Sequence, residues 1–125
     1  MSWPAISEKR SYAPDPKPPR RIRDRSVARA LHSHGVVCVL CGKPGTLHHV
    51  YPKGQGGDDV RPNLVGLCGH GTAGCHGLIE NGDETKRREL GKYIVKQRPD
   101  TVAYMRQKLG EEEGMEWLRR RLFIP

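Results

Sequence analysis

Apolar and polar positions along this 125-residue chain alternate with more than one period. From Arg21 to His34, Ile22, Val27, Ala28, Ala30 and Leu31 fit a short amphipathic helix that Gly35 breaks. Its other face would carry Arg21, Arg25 and Arg29 at four-residue spacing, a basic ridge. Val36 to Cys41 and Thr46 to Tyr51 read as short strands, closed by Gly42 and Pro52. Lys53 to Asp59 holds three glycines and is a loop. Asn63 to Leu67 returns as a strand, and Cys75 to Asn81 is helical until Asn81-Gly82 stops it. Beyond Gly82 three helices are predicted: Glu84 to Gln97, Asp100 to Leu109 with Asp100 as N-cap, and Glu111 to Leu122. The last opens on three glutamates and closes on three arginines, the polarity that complements a helix dipole. The class is α+β.

Composition sharpens this picture. The length fits one domain, but a hydrophobic fraction of 35% with a single Phe is thin for its core. Fifteen Gly and ten Pro add turns rather than packing, a deficit that a bound metal would offset. Residues 1–20, with five of the prolines, read as an extended arm. The expected organisation is a basic arm and short helix over 1–35, a metal-stapled module over 36–82, and a helical extension over 83–125. The net charge of +8 is uneven: Lys17, Arg20, Arg21, Arg23, Arg25 and Arg29 face Asp24 alone between positions 17 and 29. Such a segment neutralises phosphates and releases counterions, so nucleic acid is the expected partner, with a solubilising tail as the bland alternative.

All four cysteines lie between Cys38 and Cys75. Cys38-x2-Cys41 is a knuckle that aims two thiolates at one point, and Cys68 and Cys75 would complete four ligands for a structural zinc ion. Of the six residues between Cys68 and Cys75, all but His70 are glycine, alanine or threonine, so that loop can bulge freely; His70 is an alternative ligand. Two disulfides are the competing reading. No apolar run resembles a signal peptide or a membrane span, so a reducing, cytoplasmic setting and zinc are expected.

Histidines sit beside these clusters. Neighbours on a helix diverge by about 100°, so Cys75 can face the zinc while His76 faces a second site. Glu80 falls on the His76 face four residues on, a spacing suited to two ligands of one metal. His48 and His49 are adjacent on a strand, where successive side chains point to opposite faces. Serving one site would require a twisted strand or a substrate at its edge. One neutral imidazole can ligate a metal while the other takes a proton from water; half-buried strand histidines are the alternative. His32 and His34, at the frayed end of a helix, read as surface residues.

Cys-x2-Cys, His48-His49, the Gly56-Gly57 loop, Pro62-Asn63-Leu64, Cys68 and Cys75-His76-Gly-Leu-Ile-Glu80 together resemble the HNH endonucleases, in particular small phage-type members with an embedded zinc site. The likeness covers about residues 36–82 and departs in two places: the first motif position, often Asp, is His48, and the second cysteine pair is widely spaced. It implies a ββα-metal (His-Me finger) module. His49 resembles the general base, and Asn63 the residue that braces the loop and thereby orients that base. His48 and His76, with Glu80 as a third, look like ligands of one catalytic divalent ion: Mg²⁺ or Mn²⁺, with Ni²⁺ and Zn²⁺ as alternatives. DNA is the implied substrate, cut to a 3′-hydroxyl and a 5′-phosphate. Arg20, Arg21, Arg25, Arg29, Lys53 and Arg61 are candidate phosphate contacts, with a solvated surface as the alternative for Lys53 and Arg61. Relatives of this kind are associated with genome packaging or homing, which implies a larger partner such as a terminase. The competing function is a non-catalytic zinc module that binds nucleic acid, and such a module has no need of His49.

Overall fold

The computed structural model describes residues 21–125. Helix α1, Arg25–Ser33, is followed by strand β1, Thr46–His49, and strand β2, Leu64–Leu67. Helices α2, Gly74–Glu80, α3, Glu84–Gln97, α4, Pro99–Leu109, and α5, Glu111–Leu122, complete the chain. The architecture is α+β. The strands pair antiparallel with Thr46 opposite Leu67 and His49 opposite Leu64. Every residue of β2 is buried, whereas in β1 Thr46 is exposed, Leu47 and His49 are half-buried and His48 is buried. β2 is thus the floor of the molecule, and β1 presents its histidines along the rim.

Val36 to Cys41 is not a strand. Only Val37 bridges, to Pro44. The Cys38 N–H donates to Lys43 O at 2.7 Å and the Gly42 N–H to Cys38 O at 2.9 Å. Those backbone groups close the cysteine turn on itself and are taken from any ladder. Helix α1 begins later than the apolar spacing suggests, because Asp24 caps it by accepting the Ser26 N–H at 3.0 Å. Arg21 therefore lies outside the helix and the three-arginine ridge is cut to Arg25 and Arg29. Asp100 is not a cap either; Pro99 occupies the first turn, with Arg98 before it, and Asp100 sits inside.

No residue of α1 is buried. What anchors it is the extended stretch before it. The Ile22 N–H donates to Asp58 Oδ1 at 2.6 Å, the Asp24 N–H to Asp59 Oδ2 at 2.9 Å, and the Asp59 N–H to Ile22 O at 2.8 Å. The two adjacent aspartates at the end of the glycine-rich loop hold this segment.

One continuous core runs from the cysteine module into the C-terminal helices. Leu67, Leu90, Ile94, Met105 and Leu118 are fully enclosed, with Val65, Ile79, Leu122 and Ile124 beside them. Val95, on the outer face of α3, is exposed. Helices α3 and α5 approach closely at Gly91, where a Cβ would lie 2.1 Å from Leu122 O. That contact brings the N-terminal half of α3 beside the last turn of α5. Among the described residues no helix is long and apolar enough to cross a membrane.

Candidate functional site

Cys38, Cys41, Cys68 and Cys75 converge, their sulfurs all within 4.8 Å of one another. The Cys41 and Cys68 sulfurs are 3.4 Å apart, far beyond a disulfide bond, and all four cysteines are free thiols. Cys38 comes from the turn before β1, Cys68 from the end of β2, and Cys75 from the first turn of α2. Burial raises the Cys38 thiol, but backbone N–H groups of Cys68, Leu40 and Cys41 outweigh it and bring it down to about 6. Burial, reinforced by the sulfurs of Cys68 and Cys38, pushes Cys75 up to about 12. Four sulfurs this close cannot all ionise unless a cation sits among them, and the thiolate is the ligand form. The donor set fits a metal ion. His70 is exposed and stands outside the group.

A second group forms beside the first. His48, His76 and Glu80 each offer a ligand atom within 4.8 Å of the others. The His48 ring is buried, and its Nδ1 has no hydrogen-bond partner although Glu80 Oε1 lies 3.6 Å away. Burial lowers the His48 pKa to about 3, and the neighbouring imidazoles of His76 and His49 and the charges of Arg121 and Arg87 disfavour a proton further, so the ring is neutral. A buried ring nitrogen left unpaired beside a carboxylate and a second imidazole is costly, and with its lone pair on Nδ1 a cation at that point would satisfy all three.

Thr46 explains how His76 is held. The Thr46 hydroxyl donates to Gly69 O at 3.0 Å and lies 3.2 Å from His76 Nδ1. With its proton committed to Gly69, Thr46 Oγ1 must accept, so His76 carries its hydrogen on Nδ1. His76 Nε2 then presents a lone pair, 3.0 Å from Glu80 Oε1. That spacing is what i, i+4 positions on α2 give, and either a proton on Nε2 or a cation between the two atoms would complete it. The His48 and His76 rings meet edge to face with centroids 4.9 Å apart.

His49 turns the other way along β1. Its Nε2 lies 2.8 Å from Asp59 Oδ1, which also pairs with Arg21 at 2.5 Å. Burial lowers the His49 pKa against the opposing pull of Asp59, leaving a neutral ring at pH 7. Asp59 Oδ1 accepts the Nε2–H, and Nδ1 is left as the basic nitrogen. His48, His49, His76 and Glu80 all border one cavity of about 540 Å³, so the strand presents both histidines to a shared space.

Asn63 is fully buried and does not line that cavity. Its Oδ1 accepts the Tyr51 N–H at 2.7 Å, and its amide donates to Tyr51 O at 3.1 Å and Asp58 O at 3.0 Å. One side chain thus clasps both ends of the loop from Tyr51 to Asp58. Gly57 lies under the same clasp, where a Cβ would fall 1.7 Å from Tyr51 O.

The candidate phosphate contacts separate. Lys53 borders the cavity. Arg61 is exposed and faces a different hollow with Val36, Val37 and Arg98, so Lys53 and Arg61 do not flank one surface. Arg25 and Arg29 are exposed on α1, and Arg25 borders a shallow hollow on the Asp59 side of His49. Arg21 is tied to Asp59. Arg20 and the arm before it lie outside the described residues. Sequence reasoning missed Thr46, Asp59, Arg87, Arg121 and Trp117; the last three line the cavity from the C-terminal helices. No family model, curated protein or solved structure matches the chain.

Proposed function

We propose that this protein is a metal-dependent endonuclease of the HNH type, a ββα-metal module that holds structural zinc on its cysteines and hydrolyses DNA phosphodiester bonds. The observation that carries the reading is the pairing on one rim: a His-His-Glu group with an enclosed, unpartnered imidazole nitrogen, and beside it a histidine oriented by a carboxylate. A zinc module that merely binds nucleic acid accounts for the cysteines and not for this pairing.

In this reading His48, His76 and Glu80 would hold the divalent ion, Mg²⁺ or Mn²⁺, which would supply Lewis acidity at the leaving oxygen. His49 Nδ1 removes a proton from the attacking water, whose oxygen joins phosphorus as the bond from phosphorus to the 3′ oxygen breaks. Asp59 holds the ring through Nε2–H and stabilises the imidazolium that results. Asn63 positions Asp59 indirectly by fixing the loop. The 3′ oxygen takes up a proton from solvent, so the ends formed are a 3′-hydroxyl and a 5′-phosphate. Arg25, Arg29, Lys53 and the N-terminal arm supply positive charge toward the DNA backbone.

The test is cleavage of supercoiled plasmid with Mg²⁺ or Mn²⁺ by wild type and His49→Ala. Cutting by wild type that drops at least about 100-fold in the variant supports a general base. Equal cutting removes His49 from that role, and no cutting by wild type across metals and substrates favours the binding module.

A further inference from the structure

The cavity that holds the His-His-Glu group has a second wall, built entirely by the C-terminal helices. Arg87 and Leu90 come from α3, and Trp117, Arg121 and Leu122 from α5. Arg87 uses its Nε to donate to Ile79 O at 2.8 Å, at the C-terminal end of α2. Its terminal NH₂ groups remain available. The Arg121 guanidinium lies over the Trp117 ring, 5.5 Å from the centroid. Among the described residues neither Arg87 nor Arg121 has a carboxylate within ion-pair distance, while Arg88, Arg119 and Arg120 on the same helices all do. Helix packing forces this placement, because Gly91 sits one turn after Arg87 and its backbone meets Leu122, the neighbour of Arg121.

Two guanidiniums facing one cavity repel each other and the cation that its opposite wall is built to hold. Burial lowers the Arg87 pKa, and the charge of Arg121 lowers it further. Glu80, the carboxylate that borders this cavity, is not within ion-pair distance of either arginine, so an anion would relieve the pair, and a guanidinium fork matches the oxygens of a phosphate.

We propose that Arg87 and Arg121 form a phosphate-binding subsite, which holds the phosphate of the cleaved bond against the His48–His76–Glu80 group. The inference rests on the nuclease reading for its substrate, and on the cavity wall alone for its anion. It gives α3 and α5 a role in the site beyond packing. Arg87 has a second duty as a cap on α2, so Arg121 is the cleaner position to vary.

The experiment has two arms. In the first, the zinc-loaded protein is titrated with inorganic phosphate and the arginine Nε–Hε signals are followed by NMR. Saturable shifts of the Arg87 and Arg121 signals are expected, with the Arg87 shift weakened about tenfold or more in affinity in Arg121→Gln and partly restored in Arg121→Lys. Shifts spread evenly over the exposed Arg25 and Arg29, or unchanged in Arg121→Gln, would overturn the subsite. In the second arm, plasmid cleavage by Arg121→Gln is expected to fall about 10- to 100-fold in kcat/KM, with Arg121→Lys intermediate and cysteine-bound zinc unchanged. Phosphate binding without any cleavage by wild type would uphold the subsite and sink the nuclease reading. Cleavage undiminished in Arg121→Gln would uphold the nuclease and sink the subsite.

Discussion

Replacing Asn63 by Ala tests how the loop that carries Asp58 and Asp59 is held. The side chain is fully buried and makes three hydrogen bonds, two to Tyr51 and one to Asp58. Removing it leaves the Tyr51 N–H, Tyr51 O and Asp58 O without that partner, and each buried group left unsatisfied costs about 1–3 kcal/mol. The Tyr51 side of the loop can open and rehydrate, so the loss should settle at about 3–5 kcal/mol rather than the full sum. Domains of this kind have about 5–15 kcal/mol in total, so the variant should be barely folded at 37 °C. Asn63→Asp keeps the acceptor for the Tyr51 N–H but turns a carboxylate oxygen toward two carbonyls. It should be no better than Ala. Urea denaturation at fixed zinc, with hydrogen exchange of the Tyr51 amide, measures both effects. A loss below about 1 kcal/mol, with Tyr51 still protected, would refute the clasp.

Two further perturbations probe other parts of the site. Thr46→Val removes the acceptor that keeps the hydrogen of His76 on Nδ1, and divalent-ion affinity at the His-His-Glu group should fall about 10- to 100-fold while metal binding at the four cysteines is unchanged. Thr46→Ser should restore it, and equal Mn²⁺ binding by Val and wild type in a calorimetric titration would contradict the tautomer argument. Burial opposes ionisation of Asp58, but the Ile22 N–H, the Tyr104 hydroxyl and the Lys108 ammonium outweigh it and hold its pKa below the ordinary value. A depressed carboxylate contributes stability above its unfolded pKa, near about 3.9, that is lost as pH falls through the lower folded value. Stability should therefore drop more steeply between about pH 5 and pH 2 in wild type than in Asp58→Asn, which shares any acid loss of zinc. Parallel urea midpoints over that range would contradict it.

Much of the local architecture could be read from residue spacing. Two cysteine pairs separated by strand-forming residues were enough to expect one cluster, because the small residues between Cys68 and Cys75 let that loop fold back. His76 and Glu80, four apart on α2, meet at 3.0 Å as helical geometry requires. The C-terminal helices were legible to within a residue or so, since Asp83, Pro99 and Gly110 mark their starts. What escaped was decided by contacts across the fold. Asp59 meets His49 only because the clasp at Asn63 fixes the loop, and Arg121 reaches the cavity only because Gly91 lets two helices touch. Val36 to Cys41 has strand-like residues, but the Cys38 N–H and O are used within the cysteine turn, and only the Val39 N–H reaches β2, at Gly66 O. Arg21 kept helical spacing with Arg25 and Arg29, yet Asp24 is the better cap and Asp59 the stronger partner.

Two separate groups, the four cysteines and His48, His76 and Glu80, are each arranged so that they could hold a metal ion. X-ray anomalous scattering from crystals of zinc-loaded protein soaked in Mn²⁺ tests this most directly. One zinc signal is expected among the sulfurs of Cys38, Cys41, Cys68 and Cys75, and one manganese signal among His48, His76 and Glu80. Density for paired cystines, or a single ion with nothing between the imidazoles and Glu80 at saturating Mn²⁺, would contradict it.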